Sequence, residues 1–163
     1  MIHAMATFGG IGEACVTSIE ALNVLYDEHL IDNAADVGDY LLERLRDLQS
    51  RYPALVKDVR GKGMMVGLEL HDFSQTMPAV LRPVLGMLDE KLKGSLPGFI
   101  GSHLLRDHGV LVAFTEYNRN VIRLEPPLIC EPEHVDAFIK ALDEVLSRGI
   151  VRIVRDFVKA QIK

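Results

Sequence analysis

Apolar positions follow a helical period through most of this chain and switch to a strand period in the middle. Cys15, Ile19, Leu22 and Tyr26 recur at helical spacing, with Ala14, Val16 and Leu25 close by. That helix is apolar around much of its circumference, which predicts a well-buried element ending near Asp27-Glu28-His29. A second helix is predicted over about residues 32–52. Its stripe of Ala34, Val37, Leu41, Leu45, Leu48 and Tyr52 faces a core, while Asp36, Asp39, Glu43, Arg46, Asp47 and Ser50 face water. Pro53 ends it, because the residue before a proline is pushed out of the helical region.

Then the period changes. Residues 56–60 read as a short strand, Gly61-Lys62-Gly63 as a turn, and residues 64–70 as a second strand, together a β-hairpin. From His71 to Gly101, three prolines and four glycines break the chain into short pieces. Residues 84–93 form a short helix in this reading, with Leu85, Leu88 and Leu92 on one side, and residues 100–107 another, closed by His108-Gly109. Residues 110–114 follow as a buried strand and 121–124 as a further strand. Glu131-Pro132-Glu133 opens the last long helix, where proline suits the first turn and acids favour the positive helix end. Its stripe is Val135, Phe138, Ile139, Leu142, Val145 and Leu146; Gly149 punctuates it, and residues 150–163 continue as a second amphipathic piece. The order predicts one α+β domain over residues 1–163, a small, largely antiparallel sheet packed against helices.

Bulk composition narrows the function classes. The 163 residues are 48% hydrophobic, enough for a core, and carry a formal charge of −5 without any basic run. Nucleic acid is therefore disfavoured as a partner. Cys15 and Cys130 are too few and too far apart for a disulfide framework or a four-ligand metal site. No apolar run approaches the ~20 residues of a membrane span, and the N-terminus lacks a secretory pattern, so a soluble cytoplasmic protein is expected.

Chemistry has few places to sit. Thr7-Phe8-Gly9-Gly10 precedes a helix, and backbone N–H groups at such a junction, with the threonine hydroxyl, suit a phosphate. By itself a glycine pair before a helix is also an ordinary entry turn. Arg123 lies in a strand between apolar Ile122 and Leu124, just before Pro126-Pro127, and its guanidinium needs an anionic partner. A substrate carboxylate held through two parallel N–H···O bonds is one possibility; Glu125 or Glu69 in a structural pair, or water, is another. Six scattered histidines show no HxH or HExxH spacing, so no metal site is expected. Lys62 sits in a turn, a poor setting for a Schiff-base lysine, which needs a desolvated pocket. Asp36, Asp39 and Glu43 form a solvated helix face.

Four segments in register resemble the C-terminal region of class III pyridoxal-phosphate-dependent aminotransferases. They are Thr7-Phe8-Gly9-Gly10, the run Asn33 to Leu42, the run Val59 to Met65, and Ile122-Arg123-Leu124-Glu125-Pro126-Pro127-Leu128. Glu125 ahead of two prolines is similar to the putrescine and ornithine branch. The resemblance implies a fold like the C-terminal domain of fold-type I enzymes, with pyridoxal 5'-phosphate as cofactor of the complete enzyme. It implies that Thr7, with Gly9 and Gly10, reaches across a dimer interface to the cofactor phosphate, and that Arg123 clamps the carboxylate of an amino-acid or 2-oxo-acid substrate. The partners implied are a second copy or a large cofactor domain, together with an amino donor and a 2-oxo acid.

Three departures qualify it. Ile11-Gly12 stands where the family continues with Asn-Pro, and the segment 71–101 is longer than usual. The family's aldimine lysine and pyridine-nitrogen acid belong to a large domain ahead of the glycine turn, and six residues precede that turn here. No residue of this chain is therefore assigned as catalytic, and the chain alone is expected not to transaminate. The competing reading is a non-catalytic α+β module kept for dimerisation or carboxylate binding. A broad uncovered apolar face on the first or the last long helix distinguishes the two, since it implies a missing domain.

Overall fold

A computed structural model describes the backbone of residues 11–72 and 95–161, and side chains through Asp156. Its elements are α1 (Gly12–Asp27), α2 (Leu30–Arg51), β1 (Val56–Lys62), β2 (Met65–Leu70), α3 (Ser95–His108), β3 (Ala113–Phe114), β4 (Val121–Leu124), α4 (Pro132–Ser147) and α5 (Ile150–Gln161). The expected α+β class holds. Thr7, Gly9 and Gly10, and the helix expected over 84–93, lie outside the described residues.

The four strands form one antiparallel sheet in the order β1-β2-β4-β3. Alternation sorts its faces. Val66, Leu68 and Leu70 of β2 and Ile122 and Leu124 of β4 point inward and are buried. One cross-strand row, Val59–Leu68–Ile122–Phe114, begins in the core and ends at the sheet edge, where Phe114 is exposed. The next row, Arg60–Gly67–Arg123–Ala113, lies on the opposite face.

Helix α2 packs on β1 and β2 through the predicted stripe, with Leu45 and Leu48 fully buried. Helix α4 lies beside α2 and buries Val135, Ile139, Leu142, Val145 and Leu146, while α3 contacts α4 and α5. Asp36, Asp39 and Glu43 are exposed, as their polar face requires. Side-chain bonds tie α4 to α2 and to Tyr52 just after it: Tyr52 donates to Asp143 at 2.5 Å, Arg51 to Asp143 at 2.9 Å and Tyr40 to Asp136 at 2.8 Å.

Four expectations are corrected. Helix α1 forms but buries none of its residues, because none of the described residues covers its apolar face. The hairpin turns at Gly63-Met64, Lys62 being the last residue of β1; Gly63 takes φ 55°, the hairpin position that favours glycine. Helix α3 starts at Ser95, since its Pro97 stands in the first turn, where its missing N–H costs nothing. Of residues 110–114 only Ala113 and Phe114 pair, at the edge of the sheet, and Leu111 is exposed.

Candidate functional site

Arg123 reaches the open sheet face because its strand neighbours Ile122 and Leu124 point the other way into the core. The residues beside it across the ladder are Gly67 on β2 and Ala113 on β3. Neither carries more than a methyl group, so the guanidinium stands in an open notch. Arg123 Nε lies 3.3 Å from Glu125 Oε1, and both side chains are about half exposed, 49% and 43%. Glu125 is its ion-pair partner among the described residues. An ion pair this exposed contributes ~0–1 kcal/mol, so an incoming anion displaces it at little cost. The planar fork of the guanidinium then fits a carboxylate through two parallel bonds.

Glu69, the other acid weighed for Arg123, is committed elsewhere. Its Oε1 accepts from Lys57 Nζ and its Oε2 from Arg60 Nη1, both at 2.7 Å. Those bonds, with one from Asn118, outweigh burial and hold its carboxyl at about 2, well below the ordinary 4.5. Arg60 shares the open-face row with Arg123 but is occupied by Glu69 and Asp58.

The loop after Arg123 is fixed by a residue that spacing alone does not single out. Asn33, at the start of α2, donates its side-chain amide to the carbonyls of Leu128 at 2.6 Å and Cys130 at 3.0 Å. Cys130 N donates in turn to Pro127 O. The two prolines stiffen φ, and Asn33 pins the far end, so Glu125 is held beside Arg123. The sequence marks Asn33 only as part of a longer similar run; a partner 95 residues away leaves no local signal.

A cleft of ≈ 1080 Å³ opens beside this loop, between the β3–β4 edge and α4, with Arg123, Val112, Pro126, His134, Phe138 and Glu144 among its walls. A lysine suited to an imine with a carbonyl group would need a dry pocket. Lys57, Lys62 and Lys140 are all exposed, so these residues do not fit that role. Nor is there, among the described residues, a grouping of histidine, cysteine and acidic side chains able to hold a metal. Cys15 and Cys130 are free thiols, and no helix of the described residues is long and apolar enough to cross a membrane.

The arrangement is therefore an open, half-exposed arginine on the sheet face with no buried lysine among the described residues. Ornithine aminotransferase 1 of Staphylococcus saprophyticus is 33% identical over 143 residues, which cover 88% of this chain and 29% of the relative. The mitochondrial alanine--glyoxylate aminotransferase 2 homolog 2 of Arabidopsis thaliana is 31% identical over 142 residues, 87% of this chain and 27% of the relative. Among solved structures, the amine transaminase from an uncultivated Pseudomonas species, in its PLP-bound internal aldimine form, superposes with a TM-score of 0.65 at 31% identity. That match covers 92% of this chain and 30% of the transaminase. The chain thus spans less than a third of the length of the curated relatives it matches. The family profile described as Aminotransferase class-III matches residues 3–146, and the chain belongs to that family.

Proposed function

We propose that this chain is the small C-terminal domain of a pyridoxal-phosphate-dependent transaminase, in which Arg123 clamps the carboxylate of an amino-acid or 2-oxo-acid substrate. The observation that carries the reading is the placement of Arg123: outward on β4, between Gly67 and Ala113, with one weak and displaceable partner in Glu125. Clamping through two parallel bonds fixes the substrate's orientation, and fixed orientation is the positional contribution a transaminase needs from this domain. Glu125 keeps the guanidinium aimed along the strand until a carboxylate replaces it.

In this reading the donor is an amino acid or a diamine and the acceptor a 2-oxo acid, within the cytoplasm. Thr7, Gly9 and Gly10 serve the cofactor phosphate of a neighbouring subunit in a homodimer or of a large-domain partner. Among the described residues the lysines Lys57, Lys62 and Lys140 are exposed and do not suit the cofactor's carbonyl. In this reading the bond-making lysine belongs to the large domain, and the 163 residues alone do not transaminate. The bare face of α1 supports the same view over that of a finished, non-catalytic module, because a self-sufficient monomer rarely leaves so much apolar surface open.

A chimera tests it. The chain would replace the matching segment of the Staphylococcus ornithine aminotransferase, and amino transfer from ornithine to 2-oxoglutarate would be followed. Activity is expected, and Arg123→Gln is expected to lower kcat/KM for the 2-oxo acid about a hundredfold, the loss of a charge-assisted pair of bonds. Unchanged kcat/KM in the variant would remove Arg123 from the carboxylate site.

A further inference from the structure

The first turn of α2 holds two neighbours of Arg123 in place. The carbonyl of Ala34 faces Gly63 of the hairpin turn, and that hairpin carries Gly67, which lies across the ladder from Arg123. Asn33, the residue before Ala34, holds the loop that carries Glu125. Its side-chain amide has two hydrogens, and Nδ2 stands 2.6 Å from the carbonyl oxygen of Leu128 and 3.0 Å from that of Cys130. Both carbonyls belong to the turn closed by the 2.9 Å bond from Cys130 N to Pro127 O. The ladder ends at Leu124, so this stretch has no strand to hold it. Two fixed proline φ angles, one turn bond and the Asn33 amide set its course.

What the loop delivers is Glu125. Gly67 and Ala113, on either side of Arg123, are too small to confine a guanidinium on a flexible stem. Glu125, with Oε1 3.3 Å from Arg123 Nε, gives that guanidinium its direction. A loop free to swing would leave Glu125 nearby as a competing charge but no longer in one place. The guanidinium would then lose its aim without losing its rival, and ordering a long side chain on binding costs affinity. An exposed pair biases a population by at most about fivefold, which bounds the effect.

We propose that Asn33 is a positioning residue for the carboxylate site: by pinning the turn after Pro127 it holds Glu125 where Glu125 aims Arg123. The inference rests on the reading of Arg123 as the carboxylate clamp and adds to it a residue from a different element, one that touches neither Arg123 nor the substrate.

Asn33→Leu removes both donors at similar volume, and Asn33→Ala is a second variant in case the leucine packs poorly. Each is made in the 163-residue chain with and without Glu125→Ala. Nitrogen relaxation reads the order of the Arg123 Nε–H bond, and hydrogen exchange of the Cys130 amide reports the turn. Cys130 exchange is expected to accelerate about tenfold, the loss of about one hydrogen bond. The Arg123 order parameter is expected to fall, and to fall no further when Glu125→Ala is already present, because the two residues act through one contact. In the chimera, Asn33→Leu is expected to raise KM for 2-oxoglutarate about threefold with kcat within about twofold. An Arg123 order parameter indifferent to Asn33, even with a lowered melting temperature, would reduce Asn33 to a structural tie and overturn the proposal. So would an equal fall with and without Glu125, or an unchanged KM in an active chimera. An inactive parent chimera would count against the clamp reading alone, and the relaxation measurements would then decide the role of Asn33 by themselves.

Discussion

Gly38 of α2 and Gly63 of the hairpin turn meet backbone to backbone: a Cβ on Gly38 would stand 2.4 Å from both the carbonyl carbon and the carbonyl oxygen of Gly63. This approach seats α2 on the β1–β2 hairpin, and the hairpin in turn carries Gly67, the residue opposite Arg123. Backbone cannot yield as a flexible side chain can, so Gly38→Ala forces the helix off the turn. A loss of about 3 kcal/mol is expected, the upper part of the overpacking range. Gly63→Ala meets the Ala34 carbonyl, its oxygen at 3.4 Å and its carbon at 3.8 Å, but its φ of 55° imposes left-handed strain of ~1–2 kcal/mol. Urea unfolding of both variants checks the order. A Gly38→Ala midpoint equal to the parent's would mean that helix and turn do not touch.

Acid stability should bear the mark of two carboxylates. Hydrogen bonds from Lys57 and then Arg60 hold Glu69 at about 2 against an ordinary 4.5. Asp107 also lies at about 2: burial pushes it up, but bonds from Arg148, His103 and Arg106 more than offset that. Both folded values lie below the unfolded ones. Their stabilisation is therefore complete above about pH 4.5 and is lost as pH falls from there toward 2. For Glu69 the contribution is on the order of 2 kcal/mol, discounted because Lys57 and Arg60 are half exposed. Melting temperatures of the parent and of Glu69→Gln, followed from pH 7 down to pH 2, are expected to converge on acidification. A constant gap across that range would show that Glu69 is not held in its ionised form.

His29 joins α1 to α2 in a left-handed conformation, φ 53° and ψ 33°, and among the described residues it is the one non-glycine with positive φ. Its imidazole lies 3.8 Å from Asp32, but both side chains are more than four-fifths exposed, so that contact gives little in return. His29→Gly relieves ~1 kcal/mol of strain, partly offset by the greater freedom of glycine in the unfolded chain. A small rise in midpoint is expected from thermal unfolding, and a fall would locate an unrecognised role for the imidazole.

How far the sequence disclosed this fold depended on whether the partner of each stripe lay in the chain. The stripe Val37–Leu41–Leu45–Leu48 on α2 and its counterpart on α4 face one another and the sheet, so periodicity alone placed the core. The stripe on α1 is equally periodic, yet none of the described residues buries it, and period cannot reveal whether a partner is present. Residues 110–112 have the composition of a strand, but the ladder stops at Ala113–Arg123, and Val110 and Leu111 would fall beyond the end of β4 at Leu124. At the site, Arg123 was legible because an arginine between Ile122 and Leu124 must point away from them. Asn33 was not, since its bonds to Leu128 and Cys130 depend on tertiary placement.

His103 binds α5 to the rest of the chain, beyond the segment matched by the family profile. The ring is wholly buried, and its Nε2–H donates to the carbonyl of Ile153 at 3.1 Å. On its other side Nδ1 faces Asp107 Oδ2 at 3.2 Å, and Arg148 Nη1, 3.1 Å from the same ring nitrogen, donates to Asp107 at 2.5 Å. Removing the ring leaves the buried Ile153 carbonyl short of a partner, at ~1–3 kcal/mol. His103→Leu keeps the apolar volume roughly constant and so isolates that polar loss. Amide exchange in α5 is expected to accelerate more than in α2, because α3 is the main neighbour of α5. The same substitution in a chain ending at Gly149 should cost less, by about 1 kcal/mol or more, since the Ile153 carbonyl is then gone. An equal cost in both chains would mean that His103 serves α3 alone.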